Sequence, residues 1–221
     1  MKPALTFAVA KGRLADPLIE LLEQIGYDGR VLREESRRLI VHDEANAIRY
    51  LLAKPMDVPA FVEYGAADLG VVGKDVLLEQ QKPVAELLDL KFEACSLIVA
   101  VKGDSPVRRV EELGFNSRVA TKYPNVAGRT FNRLGIPVEL IPMNGSIELA
   151  PLVGLADAIV DITATGTTLR ENDLRIIATI AESSARLVAN RVSLKVRHEE
   201  ISGLTARLAA ALGAAGAEVR G

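Results

Sequence analysis

The feature that most constrains this chain is a rhythm. Short, continuous apolar runs alternate with stretches of helical spacing over most of its length. Residues 5–10 (LTFAVA) are apolar throughout and stop at Lys11-Gly12-Arg13. Residues 16–25 then carry Leu18, Ile19, Leu21, Leu22 and Ile25, which is helical periodicity, ended by Gly26. The same pairing recurs. Strands are expected at 38–42, 68–72, 97–101, 118–121, 138–142 and 158–161. Helices are expected at 58–64, 74–80, 125–134, 146–153 and 199–212. Asp57 and Gly65 are the expected caps of the 58–64 helix, and Gly135 closes the 125–134 helix. The alternating block 193–198 (SLKVRH) reads as an edge strand, and the Ala- and Gly-rich stretch 209–221 as a fraying helix end. Strand–helix alternation of this kind predicts an α/β fold with mainly parallel sheets.

Composition removes whole classes of function. The 27 Lys and Arg against 29 Asp and Glu give a net charge of −2. A generic nucleic-acid or anionic-membrane binder would need a basic excess. Aromatic residues make up 4% and there is no Trp, so the core is aliphatic and a base-stacking platform is not expected. Cys95 is the only cysteine and His42 and His198 the only histidines. An internal disulfide and a zinc site of clustered Cys and His are therefore excluded, and a Ser-His-Asp hydrolase is thinly supported. Cys95 reads as a buried small hydrophobe. No run of 18 apolar residues occurs, and the first strand is interrupted too early for a signal peptide. The expectation is a cytoplasmic protein without a membrane segment.

In open parallel sheets, ligands bind at the carboxyl ends of strands. Five such junctions are rich in chemistry. Lys11-Gly12-Arg13 sets two cations around a glycine at a helix entrance, which suits phosphate, although taken alone it reads first as a solvated turn. At Gly73-Lys74-Asp75 the glycine admits close approach, while Asp75 reads first as a helix cap. Lys122 and Tyr123 follow the 118–121 strand and could face a cleft or belong to an ordinary loop. Asn144-Gly145-Ser146-Ile147-Glu148 reads as a capping-box variant or as an acid directed at a ligand. The strongest junction is Asp161 followed by Thr163, Ala164, Thr165, Gly166, Thr167 and Thr168. Amides and hydroxyls of such a loop make an anion cradle, and a strand-end carboxylate can accept both hydroxyls of a ribose. No Walker A spacing occurs.

Taken in order, these junctions resemble the short form of the ATP phosphoribosyltransferase family. The stretches that carry the resemblance are VAKGRL (9–14), SRRLIV (36–41), DVPAFVEYGAADLGVVGKDVLLE (57–79), ATKYPNVAGRTF (120–131), NGSIELAPLVGLADAIVD (144–161) and TATGTTLREN (163–172). The resemblance implies a two-lobed, periplasmic-binding-protein-like fold with a central cleft. Lobe one would comprise 1–90 and 182–221, and lobe two 91–181. It implies that N1 of ATP attacks C1 of phosphoribosyl pyrophosphate (PRPP), releasing pyrophosphate, as the first step of histidine biosynthesis. Mg2+ would travel with PRPP and pyrophosphate, with no protein metal site.

Residue roles follow from the same resemblance. Asp161 would hold the ribose hydroxyls, and Thr163, Ala164, Thr165, Gly166, Thr167 and Thr168 the 5-phosphate. Lys11 and Arg13 would meet phosphates, and Arg37 the purine. Lys54 stands where relatives often carry an arginine that supports the leaving pyrophosphate, and lysine offers a point charge there in place of a fork. Gly73, Lys74, Lys122 and Glu148 would complete the substrate contacts. The resemblance also implies a homodimer of catalytic chains within a hetero-octamer, with a regulatory subunit resembling histidyl-tRNA synthetase. Nothing after about residue 212 suits a fused regulatory domain.

Two rival readings are weaker. A ligand-binding module on the same fold has no need of an Asp-then-Thr loop. An ordinary Rossmann-like phosphoribosyltransferase expects two adjacent acids before its phosphate loop, whereas Asp161 is followed by Ile162.

Overall fold

The computed structural model of the chain describes residues 4–33 and 38–218. The chain divides into two compact units, one made of Met1–Glu93 with Ser184–Gly221, the other of Ala94–Ser183. The first unit begins with β1 (Leu5–Ala10), α1 (Ala15–Gln24), α2 (Arg30–Arg33), β2 (Ile40–Asp43) and β3 (Ile48–Ala53). It continues with α3 (Val58–Glu63), β4 (Leu69–Gly73), α4 (Lys74–Gln80) and β5 (Ala85–Asp89). The second unit holds β6 (Cys95–Lys102), β7 (Arg118–Thr121), α5 (Pro124–Leu134), β8 (Glu139–Pro142), α6 (Leu149–Leu152), β9 (Ala158–Thr163), α7 (Thr167–Glu171) and β10 (Leu174–Ser183). The chain then returns to the first unit as β11 (Ala185–Ala189), α8 (Ser193–Val196) and α9 (His198–Glu218).

The first unit's six-stranded sheet has the order β2-β3-β1-β4-β11-β5, and the second unit's five-stranded sheet the order β10-β6-β9-β7-β8. Strands β3, β1 and β4 are parallel, as are β8, β7 and β9. The flanking strands β2, β11, β5, β6 and β10 pair antiparallel, so both sheets are mixed. The expected parallel character therefore belongs to the strand triplets that carry the chemistry. β1 is buried at every position, as a strand covered on both faces must be. α1 packs Leu18, Leu21 and Leu22 into the core beneath that sheet, and Gly26 ends it at φ +85°. Phe7 and Tyr50 stack across the β1–β3 pair with ring centroids 6.1 Å apart. The second unit packs Ile98, Ala120, Ile147, Ile159 and Leu174 into an aliphatic core. Cys95 is buried, as expected of a small hydrophobe.

Four expectations need correction. Residues 193–198 do not form an edge strand. The Asn190 side-chain carbonyl accepts the amides of Val192 and Ser193, each at 2.9 Å, and this local cap starts the helical turn α8. The 146–153 helix is helical only over Leu149–Leu152, because Ser146 adopts φ +50°. Glu148 therefore stands at the N-cap position of α6 without a capping bond, and the capping box does not form. Asp57 also makes no side-chain cap; a 3-10 turn over Pro55–Asp57 runs straight into α3. Strands β3, β5, β10 and β11 were not expected from the sequence.

α3 packs on β4 through Gly70. A methyl group at that position would lie 2.8 Å from both Val58 Cγ1 and Val62 Cγ2, and those side chains are fully buried. Gly70→Ala is therefore expected to destabilise the chain by about 1–3 kcal/mol through overpacking, read as a lower midpoint in chemical denaturation.

Candidate functional site

In the first unit the parallel register pairs Ala10 with Ala53 and Val9 with Val71, so β3, β1 and β4 end along one edge of the sheet. Lys54, Lys11 and Lys74 begin the three segments that follow. The Lys11 amide donates to the Ala53 carbonyl at 2.9 Å, which fixes the start of the Lys11-Gly12-Arg13 turn beside Lys54. Gly12 has φ +99° and open space where a side chain would be, so the glycine serves the backbone turn and not packing. The Gly12 carbonyl then accepts the Ala15 amide at the entrance to α1. Lys11 and Lys54 are exposed, and neither side chain forms a hydrogen bond or ion pair among the described residues. Arg13 Nε lies 3.4 Å from Glu93 Oε2, an ion pair exposed enough to be weak.

Lys74 is differently placed. Its Nζ donates to Glu86 Oε2 at 2.6 Å, and Glu86 Oε1 lies 3.3 Å from Arg186 Nη1. Arg186 Nη2 is 3.2 Å from Asp89 Oδ2. Asp89 also accepts the Ser184 hydroxyl at 2.7 Å and the Lys91 amide at 2.9 Å, and pairs with Lys91 Nζ at 2.9 Å. Burial raises the Asp89 pKa, but the bonds from Lys91 and Ser184 and the Arg186 charge outweigh it, leaving the carboxyl at about 2. Gly73 is required by its neighbour: a Cβ there would meet Asp75 Oδ1 at 2.2 Å, and Asp75 is buried. The sequence reading contained Lys74 and Gly73 but not this network, because Glu86, Asp89 and Arg186 sit on strands it did not contain.

The second unit repeats the arrangement. Thr121 stands opposite Pro142 on β8 and Val160 on β9, so the ends of β8, β7 and β9 share an edge. Buried Thr121 donates its hydroxyl to the Val160 carbonyl at 2.7 Å and accepts the Tyr123 amide at 2.8 Å. That bond turns the chain so that Lys122 is exposed while Tyr123 is 1% exposed in the core. Tyr123 is thus a core residue and does not face a ligand. Lys122 makes no side-chain bond among the described residues. Asp161 is half-buried on β9, one residue beyond Val160, and its Oδ1 accepts the Ile162 amide at 2.8 Å. Glu148 is half-buried just before α6.

The loop after Asp161 is organised by its own hydroxyls. Thr163 Oγ1 accepts the Gly166 amide at 3.0 Å. Thr165 and Thr167 hydroxyls lie 2.9 Å apart, and Gly166 takes φ +72° to let the chain turn into α7. Ala164, Thr165, Thr167 and Thr168 are exposed. A residue absent from the sequence reading closes this loop. Arg170 donates from Nη1 to the Thr165 carbonyl at 2.9 Å and from Nη2 to Thr167 Oγ1 at 3.1 Å. Its position three residues after Thr167 at a helix start was the available signal. Arg37 lies outside the described residues.

Larger recesses, of about 300 and 320 Å3, are lined by Leu87, Leu194 and Ile201 and by Lys102, Pro106 and Pro151, away from every strand end named above. A smaller one of about 180 Å3 adjoins Lys11 and Gly12. Among the described residues no three Asp, Glu, His or Cys side chains gather as a metal site. No helix among them is long and apolar enough to cross a membrane.

Known proteins resemble this chain over most of its length. A family model described as ATP phosphoribosyltransferase matches residues 54–210. An ATP phosphoribosyltransferase of Thermoanaerobacter sp. (strain X514) is 48% identical over 204 residues, covering 92% of this chain and 94% of its own. One from Sorangium cellulosum is 48% identical over 216 residues, covering 98% of this chain and 100% of its own. Among solved structures, the ATP phosphoribosyl transferase (HisG:HisZ) complex from Thermotoga maritima contains a chain matching at TM-score 0.80 and 32% identity, with 95% of this chain and 98% of that chain covered. The periplasmic aliphatic sulphonate binding protein SsuA from Escherichia coli matches at TM-score 0.63 and 15% identity, covering 100% of this chain and 72% of that one, which shows a shared fold alone.

The Asp89 network carries a pH signature. Its carboxyl is held at about 2 against an ordinary 3.8, so its stabilisation is complete above pH 3.8 and is lost as pH falls through 2. Asp89→Asn is expected to lower the melting temperature at neutral pH and to flatten the loss that the unaltered chain shows between about pH 4 and pH 2. Melting scans across that range measure both effects.

Proposed function

The chain belongs to the ATP phosphoribosyltransferase family, and on that premise we propose how its residues divide the work. The reaction is the first step of histidine biosynthesis. N1 of ATP attacks C1 of PRPP, giving N1-(5-phosphoribosyl)-ATP and pyrophosphate. The nucleophile is a substrate atom, so the protein needs no Cys, Ser or His nucleophile. Its task is to hold two polyanions together and to stabilise charge growing on the departing pyrophosphate.

The observation that carries the residue assignment is the sequence of groups at the end of β9: one half-buried carboxylate, then a loop of exposed hydroxyls. Asp161 accepts the ribose hydroxyls of PRPP, and Thr163, Ala164, Thr165, Gly166, Thr167 and Thr168 surround its 5-phosphate. Lys122 adds charge on the adjoining strand end. Lys11, Arg13 and Lys54 meet the phosphates of ATP and the leaving pyrophosphate. The support for this is that Lys11 and Lys54 stand at neighbouring strand ends with no carboxylate partner among the described residues. Arg37 serves the purine, and Gly73 gives close approach beside Lys74. Glu148 contacts the nucleotide side.

Mg2+ belongs to this reading as a companion of the substrate. The fit is of one kind only: Asp161 brings a single carboxylate and no cluster joins it among the described residues, so phosphate oxygens and water would supply most of the ion's ligands. The ion would neutralise pyrophosphate charge there. A homodimer of catalytic chains, a HisZ-like regulatory subunit in a hetero-octamer, and a cytoplasmic location complete the proposal. Support for the partner is the HisG:HisZ complex, which contains a chain that this one resembles.

The test is turnover of ATP and PRPP with Mg2+, followed by absorbance of the adduct, with and without the regulatory subunit. Product is expected, and its absence in both mixtures overturns the reading. Asp161→Ala should lower kcat/KM by on the order of 100-fold or more, as the loss of charge-assisted bonds to two hydroxyls implies, with little change in melting temperature. Near-normal pyrophosphate release by that variant would remove Asp161 from the ribose site.

A further inference from the structure

We propose that Arg170 is a positioning residue for the 5-phosphate of PRPP, acting by making the Thr165 and Thr167 hydroxyls net donors. This rests on the reading of the 163–168 loop as the phosphate cradle. The argument is one of hydrogen-bond accounting. A phosphate dianion offers only acceptors at neutral pH, so a cradle must present donors, whereas a threonine hydroxyl both donates and accepts. Thr165 Oγ1 and Thr167 Oγ1 are 2.9 Å apart and share one proton between them. Arg170 Nη2 donates to Thr167 Oγ1 at 3.1 Å, and the Thr167 amide reaches Thr165 Oγ1 at 3.4 Å. These incoming bonds take up lone pairs. Whichever hydroxyl donates within the pair, the other keeps a proton for an outside acceptor, and the guanidinium polarises that proton further.

The other arm of the fork does complementary work. Nη1 donates to the Thr165 carbonyl at 2.9 Å and so occupies an acceptor that would otherwise repel an anion. Gly166 makes room for this: a Cβ there would stand 3.2 Å from Nη1, on a backbone already at φ +72°. Arg170 forms no ion pair among the described residues, so its charge remains with the loop. A planar guanidinium can bridge the carbonyl and the hydroxyl at once, which a lysine ammonium on a flexible stem does poorly.

The experiment is calorimetric titration of the full-length chain with PRPP and with ATP in the presence of Mg2+, alongside steady-state kinetics. Arg170→Met should weaken PRPP binding by about tenfold to a hundredfold, the usual weight of a charge-assisted bond, and leave ATP affinity unchanged. The KM for PRPP should rise far more than kcat falls, since the 5-phosphate is remote from the reacting carbon. Arg170→Lys should fall between the two. Because the effect runs through Thr167, the losses in Arg170→Met and Thr167→Val should not add in the double variant. Wild-type PRPP affinity in Arg170→Met, or full additivity, overturns the proposal. Gly166→Val separates it from the reading beneath it. Unchanged PRPP affinity in that variant overturns the cradle itself, while lost binding there with normal binding in Arg170→Met overturns the role of Arg170 alone.

Discussion

Parallel pairing does most of the organising in this chain. When strands run side by side in one direction, their last residues finish together, whatever their distance in sequence. The pairing of Ala10 with Ala53 makes neighbours of Lys11 and Lys54, separated by more than forty positions in the chain. The pairing of Thr121 with Val160 does the same for Lys122 and Asp161. Each unit uses one parallel triplet in this way; antiparallel strands flank it on both sides in the first unit and on one side in the second. A slip in either register would separate these residues, so the pairing that builds each sheet also fixes where the charges emerge.

Those charges are handled in two ways. Lys11, Lys54 and Lys122 are exposed, without carboxylate partners among the described residues. Lys74, Arg186 and Lys91 are tied to Glu86 and Asp89. The near-zero net charge of the whole molecule thus says little about its local potential. In the six-stranded sheet Lys11, Lys54 and Lys74 all follow strand ends, and only their partners distinguish them.

Three strands were legible in the sequence because they are buried at nearly every position. LTFAVA, LIVAV and AIVD are continuous apolar runs because nothing polar can be tolerated on either side of them. β10 was not legible: it lies at a sheet edge, is mostly half-buried, and its register shifts between Ile176 and Ala178 and again between Thr179 and Ala181. Bulges of that kind erase the period-two pattern. β5 is likewise an edge strand with charged residues in it. The Asp161–Thr168 loop could be read because its residue types are unusual together. Arg170 could not be distinguished from any exposed helix cation, since its importance lies in two bonds that only the folded turn creates. The block 193–198 misled because alternation of polar and apolar residues describes one short helical turn as well as it describes a strand.

One feature of the first unit bears on how the molecule is made. Strand β11 lies between β4 and β5, yet it is synthesised only after the whole of the second unit. Until the ribosome has translated residue 189, β5 has no neighbour to pair with and the Leu90 amide has no Ala185 carbonyl to reach. At about 5–20 residues per second, synthesis of the second unit puts several seconds between β5 and β11. The nascent first unit waits through that interval with an open seam in the middle of its sheet, a ready site for a chaperone or for a wrong strand. Vectorial synthesis therefore dictates an order of assembly in which the inserted half is finished before the half that encloses it in sequence.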